Sequence, residues 1–418
     1  MLAPRTTTPW PLVALFTAGY LAPYLLPTVV GRLDSGLSVS ATQAGAIGSA
    51  LLLSSASAGF LLASRVDRLG PRILARAGLA LAVLGYGGAA LTTTVWAVVT
   101  GAVIGGLGSG TATAVAATGI AGRREPHRTT TLGLLSVSAL AGAVYLTVPH
   151  LGPGHGLPLA AIALTALAVW PLTGRLAVRG TPPPQHGGGH DRPRLPHLRS
   201  GLVLAAAMPC WSMAQNSLWG VSGRIGLTQA HLTEAAVGVV FAVGLGAGLL
   251  GVIGAGALGP RLGHALPIGA GTALIAGCIA VSASATGLTT FAAGEITWNA
   301  LYPIVLSYVI GLAASLDPRG RWAVLVGSAS SLGTAAGPLT GSVLSAQAGF
   351  PAMGLVLAAG LLVIAVPMTA VALRATRPAP VMDVLEIPVD APSLPADRSA
   401  YDTAGPRQTF AAPGSAMD

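Results

Sequence analysis

One acid in this 418-residue chain sits where an acid is energetically unfavourable. Glu295 lies inside the apolar run 287–315. Trp298, Asn299 and Tyr302 follow it at i+3, i+4 and i+7, so the four share one helix face. The other acids fall in loops, at the ends of apolar runs, or in polar stretches at mid-chain and toward the end. A charged side chain at mid-helix costs roughly 2.5–3.5 kcal/mol on insertion scales, so it faces a cavity or a partner. Counted from position 287, Glu295 lies ~12 Å along the helix at ~1.5 Å per residue, and no buried arginine is expected to pair with it. A carboxyl that is neutral when enclosed and ionised when water reaches it is a proton carrier. The residues leave a second reading open, a protonated structural acid hydrogen-bonded to a neighbouring helix.

Two other apolar runs carry similar stripes. Trp211, Gln215, Asn216 and Trp219 cluster toward one side of the seventh run, and Thr17, Tyr20, Tyr24 and Thr28 recur at three- and four-residue spacing on the first. Together with Trp298, Asn299 and Tyr302 they offer flat rings and amides for a small organic solute. For any one hydroxyl or amide, an interhelical hydrogen bond is the plainer account.

The elements that position these side chains follow from composition. With 52% hydrophobic residues, 8% charged residues and a mean hydropathy of +0.71, the chain has too little polar surface to cover a soluble globule. Runs of about 20 residues cross a hydrocarbon core. They occur near 11–30, 42–64, 73–93, 95–121, 130–151 and 156–178, and again near 200–222, 233–258, 262–284, 287–315, 322–347 and 351–374. Backbone groups cannot be left unpaired in lipid, so each run is a helix. The expected organisation is a cytoplasmic tail 1–10, a six-helix bundle 11–178, a cytoplasmic linker 179–199, a second six-helix bundle 200–374 and a disordered cytoplasmic tail 375–418. The start, with Arg5 before an apolar run from Trp10, resembles a signal peptide but lacks a convincing cleavage site, and is read as a retained first helix.

The formal charge of +9 suggests no nucleic acid here, because the arginines fall in loops beside apolar spans. Arg65, Arg68, Arg72, Arg76, Arg123, Arg124, Arg128, Arg175, Arg179, Arg319 and Arg321 lie at one set of alternate loops, and only Arg32 and Arg224 at the other. By the positive-inside rule the rich side is cytoplasmic, with both termini and the linker. Cys210 and Cys278 lie in apolar runs and imply no disulfide framework. His186, His190 and His197 lie in or beside a Pro/Gly-rich linker without a rigid coordinating frame, so no metal is expected. No cofactor motif is seen. An enzyme would need a convergent His, Asp or Ser constellation, and only His150 and His155 come near each other.

A basic turn then ties the halves together. Ala63-Ser64-Arg65-Val66-Asp67-Arg68-Leu69-Gly70-Pro71-Arg72 follows the second run, and Gly256-Ala257-Leu258-Gly259-Pro260-Arg261-Leu262-Gly263-His264-Ala265 follows the eighth. These segments resemble the loop signature of the major facilitator superfamily (MFS), roughly G-x-L-x-D-R-x-G-R-R. Asp67, Arg68, Gly70 and Arg72 match it, while Arg261 and Gly263 keep the weaker second copy, where Pro260 replaces the acid. The chain resembles a bacterial transporter of that superfamily, of no assigned subfamily. The resemblance implies an all-α integral membrane protein with twelve transmembrane helices in two pseudo-symmetric six-helix bundles. It also implies a central cavity lined by helices 1, 4, 7 and 10, which brings together the proposed substrate-binding residues Tyr20, Tyr24, Trp211, Gln215, Asn216, Trp219, Trp298, Asn299 and Tyr302, with Glu295 as the proton-coupling residue. It further implies that Asp67 sits near the start of helix 11, just after Arg321.

Glycines recur on helix 4 (Gly101, Gly105, Gly106, Gly108, Gly110) and helix 11 (Gly333, Gly337, Gly341), which fits close helix packing. Helix 11 carries the G-x-x-x-G-P-x-x-G pattern that marks drug:proton antiporters on helix 5. Helix 5 lacks it, and Ala102 stands where many relatives have a buried arginine. The expected function is secondary active transport of a small organic molecule across the cytoplasmic (inner) membrane by alternating access, as a monomer, with proton-coupled efflux first. Proton-coupled import is the alternative, and a transport-dead sensor a more distant one.

Overall fold

The computed structural model describes residues 9–176, 195–258, 262–317 and 319–375. Among them every regular element is helical: α1 (Trp10–Tyr24), α2 (Leu26–Gly36), α3 (Ala41–Ala63), α4 (Val66–Leu69), α5 (Pro71–Leu91), α6 (Val95–Ala121), α7 (Pro126–Thr147), α8 (Gly156–Val169), α9 (Leu198–Arg224), α10 (Glu234–Leu258), α11 (Ala265–Ala283), α12 (Leu288–Ser315) and α13 (Arg321–Ala375). Nine helices among the described residues are long and apolar enough to cross a bilayer, and α1 with α2 makes a tenth when the bent pair is one span. Outward-facing apolar side chains such as Leu84, Leu91 and Val363 stay exposed because lipid, not water, covers them.

Proline and glycine account for most departures from the expected runs. The first run does not end near residue 30. It continues to Gly36 after a 48° bend between α1 and α2, where Pro23 and Pro27 remove backbone donors. Arg32 and Asp34 therefore lie on a helix and not in a loop. The sixth run stops at Val169 and passes through a 3-10 turn, Trp170–Arg175, at Pro171. The last two runs are joined without a loop, and α13 breaks only at Gly349, whose φ of 78° is non-helical. A capping box of Ser40 and Gln43 starts α3.

Close backbone approach holds each half together. Helix α6 packs against both α3 and α5. A Cβ on Gly110 would meet the Ser55 carbonyl, and one on Gly85 the Gly105 nitrogen, so these helices touch where no side chain fits. In the second half Gly333, Gly337 and Gly341 of α13 press on α9 at Pro209, Asn216 and Ser217. The helix 4 and helix 11 glycines thus weld helices within each half.

The two basic turns use their glycines alike. Gly70, between α4 and α5, has φ 91°, and Gly263, before α11, has φ 60°. Both are left-handed conformations that side chains disfavour. Arg72 donates to the carbonyls of Gly174 and Leu176, tying the start of α5 to the segment after α8. Arg68 is exposed. Arg261 lies outside the described residues, as do the tail 1–8, most of the linker with His186 and His190, and the chain from 376 onward.

Candidate functional site

Contacts between the halves gather at the end away from the arginine-rich loops. There α2 meets α9, α3 meets α13 and α7 meets α10. Two ion pairs of opposite polarity close this end. Arg32 of α2 meets Glu234 of α10 at 2.8 Å, and Asp34 of α2 meets Arg224 of α9 at 3.0 Å. The Arg32 guanidinium is buried and also donates to the carbonyls of Val148, Gly152 and Gly154. Arg224 further lies over the Phe350 ring at 5.4 Å. A cavity of about 40 Å³, lined by Thr28, Arg32, Tyr145, Glu234 and Phe241 among others, lies behind the pairs. It has room for water. Trp219 Nε1 donates to the Pro23 carbonyl at 3.1 Å, and Ser49 Oγ accepts from the Leu339 N–H at 2.9 Å, adding two more crossings.

Just inside this closed end lies Glu295, fully buried. Its Oε1 is 2.7 Å from Ser222 Oγ, which is also 3.0 Å from the Leu218 carbonyl. Ser222 has one hydroxyl hydrogen for these two acceptors. Both contacts are hydrogen bonds at once when Glu295 carries a proton and donates it to Ser222 Oγ, which then donates to Leu218. The second carboxyl oxygen and the buried Ser282 Oγ lie beside each other, close enough to interact but without a hydrogen bond of good geometry to any described residue. Arg32 is buried, but its carboxylate partner is Glu234 and not Glu295.

The predicted stripes meet, with differing exposure. Trp298 Nε1 donates to Gln215 Oε1 at 3.1 Å, joining α12 to α9. Trp211 stacks on Tyr302 at 5.5 Å, Trp298 tilts against Tyr302 at 5.9 Å and against Trp219 at 5.6 Å, and Phe241 meets Trp219 edge-on. Tyr20 and Tyr24 of α1 are within electrostatic reach of Tyr302 across the middle. Tyr20 also stacks on Phe16, and Tyr24 accepts at its carbonyl from Tyr145. Trp211 and Gln215 are fully buried and present no surface here, so they support the wall and do not line it in this conformation. Asn216 and Asn299 are half-buried. Asn216 donates to Ser212 O and Thr334 Oγ1, and Asn299 donates back to the Glu295 carbonyl instead of reaching its carboxyl.

Sequence reasoning did not single out Ser222, although it stands three residues after Trp219 and seven after Gln215, on the stripe already recognised. Ser282 gave no signal. The opposed charges of Arg32, Asp34, Arg224 and Glu234 were visible only as loop residues. At the other end Asp67 makes no hydrogen bond or ion pair with a described residue. The start of α13 is served by Asp317, which accepts from Arg321 Nε at 2.7 Å and from the Arg319 N–H at 3.1 Å. The implied contact of Asp67 with that helix start is not formed in this conformation.

A helical membrane body closed at one end over an aromatic wall has the architecture of a solute transporter, and solved transporters share it. A structure of the human organic anion transporter MFSD10 (TETRAN) aligns with TM-score 0.65 and 16% identity, over 88% of this chain and 100% of that one. The nucleoside transporter NupG (D323A mutant) aligns with TM-score 0.68 and 13% identity, over 87% and 99%. A bacterial homologue of the human lysosomal transporter Spinster, inward-facing and unoccupied, aligns with TM-score 0.63 and 14% identity, over 89% and 97%. No curated protein matches the sequence. The Major Facilitator Superfamily model matches residues 12–316, and the chain belongs to that superfamily: it is a multi-pass membrane transporter of the MFS type.

Proposed function

We propose that this chain is a proton-coupled exporter of a small organic molecule with an apolar or aromatic body, working by alternating access as a monomer in the cytoplasmic membrane. The observation that carries the proposal is the Glu295 carboxyl, buried without a cation and hydrogen-bonded by Ser222 in a pattern that a proton completes. The acid holds its proton while enclosed and releases it when the halves rock and water enters. Trp298, Tyr302, Tyr20, Tyr24, Trp219 and Asn299 receive the solute, with Trp211, Gln215 and Asn216 fixing the wall behind. The aromatic lining suits solutes that partition into membranes, and favours expulsion over uptake.

In the same proposal the arginine-rich end is cytoplasmic, and both termini and the linker lie there. The conformation is then inward-facing, with the Arg32 and Asp34 pairs as the closed outer gate. Counting α9 as a span and dividing α13 at Gly349 brings the spans to twelve, with bundles over 11–178 and 200–374. The motif residues Asp67, Arg68, Gly70, Arg72, Arg261 and Gly263 act at the opposite, cytoplasmic gate.

Proteoliposomes with an imposed pH gradient test the proposal. A small-molecule panel screened in both directions should reveal gradient-driven movement out of the cytoplasmic side. Glu295→Gln should abolish the gradient-driven component while leaving substrate binding. Unchanged driven transport in that variant would reduce Glu295 to a structural acid.

A further inference from the structure

On the outer surface of the first half, away from the site above, α5 and α8 flank an apolar groove of about 440 Å³ lined by Ala80, Val83, Leu84, Leu167, Trp170 and Pro171. Leu84 and Leu167 are exposed there, so the groove faces the bilayer. We infer that it binds one anionic phospholipid, an acyl chain lying in the groove and the phosphate resting on Arg76 and Arg175.

Charge stands at one end of the groove only. Arg76 is one turn before Ala80 on the same face of α5, and is exposed. Its Nε donates to Thr173 Oγ1 at 3.2 Å, which directs the guanidinium toward the segment that follows Trp170 and Pro171. The two terminal nitrogens make no bond to a described residue. Arg175 follows in that segment, exposed and without a partner among the described residues. Arg72 is spent on the carbonyls of Gly174 and Leu176, and so holds the segment bearing Arg175 in place before any ligand arrives. No Asp or Glu occurs in 71–91 or 156–176 to neutralise these arginines.

The same features decide between occupants. Trp170 gives the groove an amphipathic ring where headgroups lie, as interfacial tryptophans do. A zwitterionic lipid fills the groove but brings its own cation to the arginines. A second copy docked symmetrically would set like charges against each other. The leaflet at the arginine-rich end carries the anionic lipids when that end is cytoplasmic, and basic pockets between helices there hold acidic headgroups.

The test uses the full chain, purified in mild detergent and titrated with phosphatidylglycerol or phosphatidylcholine of identical acyl chains, with bound lipid counted by native mass spectrometry. Phosphatidylglycerol should bind at least about ten-fold more tightly. Arg76→Gln with Arg175→Gln should weaken it about 25-fold, near five-fold for each cation, whereas Arg124→Gln, an equal charge change at another loop, should leave it unaltered. Ala80→Phe with Val83→Phe keeps both arginines but fills the groove, and should also lose the lipid. Equal binding of both lipids, equal loss in Arg124→Gln, full binding in the filled groove, or displacement by inorganic phosphate alone would each overturn the inference. Should the double arginine variant fail to fold, the headgroup comparison and the filled groove still decide it.

Discussion

Glu234→Gln isolates the link between the halves from the stability of each half. Arg32 makes four hydrogen bonds, and three of them go to Val148, Gly152 and Gly154, in its own half. Only the bond to Glu234 crosses. Removing the negative charge from Glu234 therefore leaves the guanidinium solvated by carbonyls and the fold intact, and weakens only the closed end. The Glu234 side chain is 39% exposed, so solvent screening keeps the pair near the exposed-pair range, about 1 kcal/mol. That energy changes the open-to-closed ratio at this end about five-fold. Arg32→Gln is the contrasting perturbation. It strips three carbonyls of a donor, and each buried one costs roughly 1–3 kcal/mol, so this variant should lose thermal stability where Glu234→Gln does not.

Spin labels at Ser38 and His231, on opposite sides of the closed end, report the ratio by pulsed dipolar spectroscopy. The long-distance population should grow about five-fold in Glu234→Gln at low salt, and less so as salt screens the parent pair. Exchanging the second pair, Asp34→Arg with Arg224→Asp, should restore most of what either single change loses. An unchanged distance distribution in Glu234→Gln, with both labels attached and the protein folded, would show that the pair does not hold this end shut.

Three further outcomes test the opposite end. Asp67→Asn should slow transport and enrich the conformation described here if, as proposed, Asp67 joins the halves when this end closes; a parent-like rate at normal membrane abundance would remove Asp67 from the gate. Gly263→Ala should cost about 1–2 kcal/mol of stability from its left-handed φ alone, since open space surrounds it, and a thermal melt without change would contradict the backbone argument. Asp317 lies outside the spans, and the Arg321 hydrogen bond first, then that from the Arg319 N–H, holds its carboxyl below the ordinary value. Its stabilisation is complete above the unfolded carboxyl's range, about pH 4, and disappears as pH falls through the lowered value. Asp317→Asn should therefore melt lower than the parent at neutral pH, with the gap closing in acid.

Periodicity and apolar length were enough to reveal the helices and the class of membrane protein, because lipid demands helices wherever apolar runs are long. The stripes of α9 and α12 were legible for the same reason, as spacing of three and four fixes a face. What escaped the sequence was contact between distant segments. Arg32 reads as a loop residue until the Pro23 and Pro27 bend extends the first span and carries it beneath Glu234, some 200 positions away. Gln215 and Trp211 read as binding residues because polarity on a face does not say whether the face meets a cavity or a neighbouring helix. Asp67 and the start of helix 11 read as partners because a motif describes a contact without saying in which conformation it forms.

The gate and the acid are joined through one short piece of α9. Trp219 reaches Pro23 in the first half, Ser222 reaches Glu295, and Arg224 reaches Asp34, all within six consecutive residues. A π-helical turn, Ile225–Gln229, follows directly, a form often found at functional sites. Movement that frees Arg224 and Trp219 from the first half must carry Ser222 with it, so opening the closed end and changing the environment of Glu295 are one event. A hydrophobic carbodiimide, which modifies protonated buried carboxyls, reads the second half of that event. Glu295 should be labelled in the parent protein. In Glu234→Gln labelling should fall in proportion to the open population measured by the spin labels, at the same pH, because water then reaches the carboxyl and takes its proton. Labelling that stays constant while the spin labels report opening would break the coupling, leaving a gate and a buried acid that each touch α9 but move independently.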